Sequence, residues 1–220
     1  MELNGKKINF LGDSITFGHG VADPDNIYCN RIGKKYGATV RNYGISGTRY
    51  ALQTELLPWE QSTLHRPFFL RVEEMDPDAD IIVVFGGTND CGHGDAPLGS
   101  MADRTVNTFY GACHTLYTQL IEKYPTATIV VMTPLHCCST ENNERDYDSK
   151  PAGTPTLSEY VNAIKEVACY YSIPVLDLFA VSGISTEKKH IELFMPDGLH
   201  PNDDGQAIIA SRLGEFLLRL

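Results

Sequence analysis

Short apolar runs recur along the chain, separated by longer stretches in which polar and apolar residues mix. The clearest runs read IIVVF and TIVVM and are almost continuously apolar. Such a run is typical of a parallel strand covered on both faces, because neither row of its side chains then meets water. We therefore predict five strands, at residues 7–11, 39–43, 81–85, 127–132 and 174–178.

The segments between these strands carry helix signals. Thr156 is followed three residues later by Glu159, as in a capping box, and Pro125 marks a helix stop. Strands that alternate with helices indicate an α/β fold, with a parallel sheet between two helical layers. We predict helices at about residues 28–36, 61–74, 104–123, 157–171 and 203–218.

Residues that could act in catalysis or ligand binding follow the predicted strands. Right-handed crossovers place the carboxyl ends of all strands at one edge of the sheet, where such folds bind ligands. We therefore expect the segments after the strands to meet there. In chain order they read GDS (12–14), GISGT (44–48), GGTND (86–90), TPLHCC (133–138) and MPDGLHP (195–201).

Composition and charge narrow the class of protein. The 220 residues are 42% hydrophobic with a formal net charge of −10, which predicts one soluble domain over residues 1–220. No cluster of Lys and Arg exceeds a pair, which argues against a nucleic-acid partner. No secretion signal and no apolar run near ~18 residues is present, so we expect no membrane insertion, a cytoplasmic location and six reduced cysteines. The sequence leaves open whether the chain forms a homo-oligomer.

Ser14 has the partners that a nucleophilic serine needs. A free hydroxyl is a poor nucleophile at neutral pH, so it requires a base and a group that orients the base. Asp197 and His200 lie three residues apart in a turn rich in Pro and Gly, which can bring the carboxylate beside the imidazole. Ser14 alone is more often a helix cap, and His200 alone a surface residue.

Acyl transfer also needs donors for the developing oxyanion. The backbone N–H of Ser14, the N–H of Gly47 and the side-chain amide of Asn89 come from three different strand ends. Gly47 also fits a turn that needs positive φ, and Asn89 with Asp90 also fits a plain turn. Asp13 fits a turn or a helix start better than a second catalytic acid.

Three further polar residues lie near these segments. Arg49, His93 and His136 are candidates for lining a substrate pocket, and packing or solvation is the alternative for each. Neither CGH nor HCC has a recognised zinc spacing, so we predict no metal. The GHG of residues 18–20 fails the dinucleotide-loop spacing at Asp23, and we predict no cofactor.

Four blocks, FLGDSITFGHG, NYGISGT, GGTND and DGLHP, resemble in order and spacing those of the SGNH hydrolases, or GDSL esterases and lipases. The resemblance runs from about Gly12 to Pro201. It implies a flavodoxin-like fold and metal-free hydrolysis of esters or thioesters through an acyl-serine. It places the family's serine, glycine, asparagine and histidine on Ser14, Gly47, Asn89 and His200, and its aspartate on Asp197, with Asp90 in support.

Two questions remain open: which substrate such an enzyme would take, and whether the protein belongs to another functional class. Short-chain or acetyl esters, including O-acetylated sugars, compete with lysophospholipids and acyl-thioesters. The absence of a long apolar lid favours small, polar substrates. A non-catalytic binding module would keep the fold without the complete set of residues. A phosphoryl-handling enzyme would use Asp13, Asp90 and Asp197 to hold Mg²⁺. The polar stretch 139–155 is the best candidate for a loop beside the site.

Overall fold

The structure, a computed structural model, describes residues 1–54, 66–139, 144–145 and 154–220. Its main sheet contains β1 (Lys7–Gly12), β2 (Thr39–Gly44), β3 (Ile81–Phe85), β4 (Thr128–Met132) and β7 (Val175–Leu176). All pairs are parallel, and the order is β2-β1-β3-β4-β7. The predicted five-stranded parallel sheet is confirmed. Two short strands, β5 (Cys138–Ser139) and β6 (Glu144–Arg145), form a separate antiparallel pair.

The helices of the described residues vary widely in length. In chain order they are α1 (Ser14–Phe17), α2 (Tyr28–Tyr36), α3 (Phe68–Arg71), α4 (Thr88–His93), α5 (Phe109–Lys123), α6 (Leu157–Tyr170), α7 (Leu178–Val181), α8 (Lys188–Phe194) and α9 (Asp203–Arg219). The capping box is present at the start of α6, where the backbone N–H of Thr156 donates to the Glu159 carboxylate at 2.8 Å. None of the helices in these ranges is both long and apolar enough to cross a bilayer.

The sheet is covered on both faces. Alternate residues of β3 point to opposite sides, so Ile82 and Val84 join one core while Ile81, Val83 and Phe85 join the other. The first core contains side chains of α3, α5 and α6, and the second contains side chains of α1, α2, α8 and α9. This gives the three-layer α/β/α arrangement and explains why the central strands are apolar without alternation.

Two predicted helices begin later than the sequence pattern suggested. The helix predicted at 61–74 is α3, from Phe68 to Arg71, followed by a 3₁₀ turn over Val72–Glu74. Pro67 precedes it and disfavours helical backbone at the residue before a proline. Residues 61–65 lie outside the described ranges. The helix predicted at 104–123 starts at Phe109, where the Thr108 side chain caps the Gly111 N–H at 3.1 Å.

The last strand is shorter than predicted. The pattern indicated residues 174–178, but the ladder covers only Val175–Leu176. The following Asp177 caps α7, because its side chain accepts from the N–H of Ala180, and this ends the extended backbone. The proposed loop at 139–155 falls mostly outside the described residues.

Strand order brings three of the predicted segments together. β1 lies between β2 and β3, so the segment that follows β1 is flanked by the segments that follow its two neighbours. These segments carry Ser14, Gly47 and Asn89 respectively. The loop before α9 is tied to the segment after β4 by a hydrogen bond from the Cys138 N–H to the Gly198 carbonyl at 2.9 Å.

Candidate active site

Ser14 is the first residue of a very short helix that begins where β1 ends. Gly12 permits this sharp transition, because a Cβ there would lie 2.8 Å from the carbonyl oxygen of Phe85. The Asp13 side chain caps the helix by accepting from the Ile15 N–H at 3.0 Å. The helix-cap role therefore belongs to Asp13 and not to Ser14, whose hydroxyl is left for another partner.

That partner is His200, which lies 186 residues away in sequence. Ser14 Oγ and His200 Nε2 are 2.9 Å apart, and His200 Nδ1 and Asp197 Oδ2 are 2.6 Å apart. An ionised carboxylate only accepts, so Nδ1 carries the proton of the neutral ring and Nε2 is left to accept from the serine hydroxyl. The three side chains form one hydrogen-bonded row.

The turn 197–200 builds the acidic end of this row. The Asp197 carboxylate accepts from the backbone N–H groups of Leu199, at 2.9 Å, and His200, at 2.7 Å. Burial alone would raise the pKa of Asp197. The hydrogen bonds from the His200 ring and from the two backbone N–H groups outweigh it and hold that pKa well below its ordinary value. Asp197 is therefore ionised at neutral pH.

The segments carrying Gly47 and Asn89 follow the strands on either side of β1 and so flank the segment that carries Ser14. Gly47 has φ +77°, in the left-handed region that favours glycine. Asn89 is buried in the first turn of α4 and donates from Nδ2 to the Thr48 carbonyl at 3.0 Å. Asn89 is thus bonded to the residue next to Gly47. An amide nitrogen has two N–H groups, so this bond uses one of two donors.

Asp13 and Asp90 are buried and face backbone N–H groups. Burial raises the pKa of Asp13 to about 6, against the opposing hydrogen bond from Ile15. Burial likewise raises the pKa of Asp90 to about 7, although its carboxylate accepts from the N–H groups of Tyr50 and Ala51, both at 3.0 Å. Asp90 therefore fixes the loop that follows Gly47, and its supporting role in catalysis stays a prediction.

The three candidate pocket residues divide into two groups. The guanidinium of Arg49 bonds to His93 Nδ1, and His93 Nε2 lies 3.1 Å from Asn89 Oδ1. His136, after β4, instead stacks on Phe179 of α7, with ring centroids 3.6 Å apart. Arg49 and His93 are thus connected to Asn89 inside the protein, and contact of any of the three with substrate stays a prediction.

Two residues in this region were not singled out from the sequence. The His19 ring packs against His200, with centroids 4.2 Å apart, and the His19 N–H donates to the Ser14 carbonyl at 2.9 Å. Buried Arg71 donates to Gly12 O at 3.1 Å and to Thr48 Oγ1 at 3.0 Å. His19 follows Ser14 closely in the sequence, and this proximity could have identified it as a residue near the site. Arg71 comes from α3, and no local pattern points to it.

Metal-ligating atoms come close together at one point among the described residues. One ligand atom each from His19, Asp197 and His200 lies within 4.8 Å of the others. Two of these three residues already belong to the row that ends on Ser14. Of the three aspartates considered from sequence for Mg²⁺, only Asp197 belongs to this group, while the carboxylates of Asp13 and Asp90 accept from backbone N–H groups.

Comparison with known proteins matches the sequence of this chain to one family. The sequence pattern of the GDSL-like lipase/acylhydrolase family matches residues 10–208, most of the chain. The chain belongs to this family. Its members hydrolyse esters, so this GDSL-like protein is an ester-hydrolysing enzyme, and the predicted resemblance and fold class are confirmed.

Two solved structures are similar to this chain in sequence and in fold. One crystal structure is 34% identical to this GDSL-like enzyme, covers 100% of it and 99% of its own chain, and has a TM-score of 0.86. A protein from Lactobacillus plantarum is 30% identical over 98% of this chain and 97% of its own, with a TM-score of 0.83. The comparison with curated proteins gave no match.

A more distant structure has a described activity. It is a two-domain esterase active on acetylated mannans, co-crystallised with mannopentaose, and it is 19% identical to the GDSL-like enzyme described here. The alignment covers 98% of this chain but 50% of the esterase, with a TM-score of 0.60. At this identity the likeness shows the shared fold.

Proposed function

We propose that this enzyme is a serine esterase that cleaves short-chain or acetyl carboxylic esters through an acyl-serine intermediate. The observation that carries the proposal is the row from Asp197 through His200 to Ser14, with its two hydrogen bonds of 2.6 and 2.9 Å. Ser14 is the nucleophile, His200 the base and then the acid, and Asp197 orients the ring.

Acylation follows from the protonation states of these groups. As Ser14 Oγ attacks the ester carbonyl carbon, its proton passes to His200 Nε2, and the imidazolium is stabilised by ionised Asp197. The carbonyl oxygen becomes an oxyanion, which accepts hydrogen bonds from the Ser14 N–H, the Gly47 N–H and the second N–H of Asn89. The intermediate then collapses, and the alcohol leaves with the proton from Nε2.

Deacylation repeats these steps with water. His200 removes a proton from a water molecule, which attacks the acyl carbon of the serine ester. The same three donors stabilise the second oxyanion. Return of the proton to Ser14 Oγ releases the carboxylic acid and restores the resting enzyme.

The polar surroundings of Ser14 support a small, polar substrate. His19 packs beside His200, and the other side of the site contains Asn89, joined to His93 and Arg49. The distant mannan esterase acts on acetylated sugars, which lends the acetyl-ester proposal further support. Lysophospholipids and acyl-thioesters would use the same chemistry with a longer acyl chain.

Hydrolysis of p-nitrophenyl esters from acetate to palmitate tests the proposal. We expect the highest kcat/KM on acetate or another short chain, no turnover by Ser14→Ala, and no effect of EDTA. A maximum at long acyl chains would contradict the short-chain substrate and favour the lipid class. Loss of turnover in EDTA would contradict the metal-free mechanism.

A further inference from the structure

The Asn89 amide is held by two partners of opposite character. Its Nδ2 donates to the Thr48 carbonyl at 3.0 Å, and its Oδ1 lies 3.1 Å from His93 Nε2. A flipped amide would set its oxygen against a carbonyl oxygen and its NH₂ against the imidazole. If His93 Nε2 carries a proton, the amide can therefore only point its Nδ2 at the Thr48 carbonyl and its Oδ1 at His93. The flipped amide would place two acceptors together at Thr48 and two donors together at His93.

Arg49 decides which nitrogen of His93 carries the proton. A guanidinium has five N–H donors and no acceptor. Its bond to His93 Nδ1 therefore requires Nδ1 to accept, which leaves the ring proton on Nε2, facing Asn89 Oδ1. Both Arg49 and Asn89 are buried, at 4% and 6% exposure, so water competes little with these bonds.

We propose that Arg49 and His93 are positioning residues that fix the Asn89 amide with its Nδ2 group toward the oxyanion. Arg49 sets the tautomer of His93, and His93 sets the orientation of Asn89. The inference rests on the proposed function for the role of Asn89 in catalysis. Neither residue needs to touch the substrate for this role.

The chain offers a matched control in a second Arg–His pair. Arg104 lies 3.1 Å from His114 Nε2, and the other ring nitrogen of His114 lies 3.0 Å from the Tyr171 hydroxyl. The chemistry of the pair is the same, but it ends on a tyrosine of the α5–α6 side and not on Asn89. Changes at His114 measure what the loss of such a pair does to the fold alone.

Two substitutions of His93 distinguish the effect of its N–H donor from the effect of the size of its side chain. His93→Phe keeps a ring but removes the donor, and His93→Gln keeps an N–H donor. We expect His93→Phe to lower kcat about three- to tenfold, the usual effect of one hydrogen bond, with KM little changed. His93→Gln should recover part of this loss, and Arg49→Gln should lower kcat in the same direction.

A double-mutant cycle with Asn89→Ala tests whether the effect passes through Asn89. In that background His93→Phe should change kcat less than about twofold, since no amide remains to be oriented. His114→Phe should leave kcat unchanged in both backgrounds once each variant is shown to be folded by its thermal melt. An equal loss from His93→Phe with and without Asn89, or a loss confined to KM, would overturn the proposal.

NMR of the ¹⁵N-labelled enzyme provides a readout independent of turnover. Long-range ¹H–¹⁵N correlation spectra should show His93 protonated on Nε2 and unprotonated on Nδ1. The opposite tautomer, or a ring protonated on both nitrogens at neutral pH, would overturn the proposal. If Ser14→Ala leaves hydrolysis intact, the proposed function fails instead, and the tautomer of His93 is still decided by the spectra.

Discussion

The candidate site has two parts that are built differently, here called the His200 side and the Asn89 side. On one side, Asp197 and His200 belong to a single turn, and the Asp197 side chain is 51% exposed. On the other side, Asn89 and Asp90 are both buried and hold three backbone groups of the neighbouring loop, the carbonyl of Thr48 and the N–H groups of Tyr50 and Ala51. The first side depends on side-chain contacts within one turn, and the second on buried bonds between two strand ends.

This difference determines what a substitution measures. A change at His200 removes a group at the surface of the site and leaves the packing of the sheet intact. A change at Asn89 or Asp90 also leaves a buried carbonyl or N–H without its partner, which destabilises the fold. Effects on activity and on stability are therefore separable on the His200 side and mixed on the Asn89 side.

The largest effect is expected at His200. We expect His200→Ala to lower kcat by about 10⁴–10⁶-fold, as for other triad histidines, because no base then accepts the serine proton. The midpoint of thermal unfolding should change little. Steady-state kinetics and a melt on the same sample measure both. Undiminished hydrolysis would contradict the assignment of the base.

A smaller loss of activity, accompanied by a loss of stability, is expected at Asn89. Asn89→Ala should lower kcat by about 10²–10³-fold, the usual cost of one oxyanion donor. Since the Thr48 carbonyl loses its donor, we also expect a lower melting temperature than for His200→Ala. A variant that melts like the wild type would break the comparison between the two sides, even if its kcat fell as expected.

The smallest effect is a pH dependence of stability that comes from two buried carboxyl groups, Asp13 beside Ser14 and Asp90 beside Asn89. Burial raises the pKa of Asp13 to about 6 and that of Asp90 to about 7. The folded state thus holds protons that the unfolded state releases near pH 4, so this stabilisation is complete below pH 4 and is lost as the pH rises through 6 to 7. Urea unfolding at pH 5 and pH 8 should show this decline in the wild type and a smaller decline in Asp90→Asn.

Asp197 provides the contrasting control for that measurement. Its pKa is lowered, so its contribution to stability is present above about pH 4 and is lost only at more acid pH. Asp197→Asn should therefore leave the difference between pH 5 and pH 8 as in the wild type. If Asp197→Asn and Asp90→Asn reduced the difference in stability between pH 5 and pH 8 equally, the pH dependence would not come from the buried carboxyl groups.

The sequence was most informative where chemistry depends on strand order and local turns. The apolar runs predicted all five strands of the sheet, and the positions of Ser14, Gly47 and Asn89 after three strands predicted that they would meet. Asp197 and His200 were recoverable because the carboxylate and the ring belong to one short turn.

The remaining features depend on contacts that no local pattern encodes. Arg71 reaches Gly12 and Thr48 from a helix whose start is set by Pro67, and the pattern placed that helix too early. Arg49 and His93 were predicted near the site, but their bonds to each other and to Asn89 depend on the packing of β2 against β1 and of β1 against β3. Hydrophobic periodicity carries no information about such partners.

Labelling of Ser14 with a fluorophosphonate tests the central claim most directly, because the reagent reacts with activated serines and requires no knowledge of the natural substrate. We expect stoichiometric labelling of the wild type, with the adduct on Ser14 in a peptide digest, and none in Ser14→Ala or His200→Ala. Labelling of another residue, or of His200→Ala at the wild-type rate, would contradict the account.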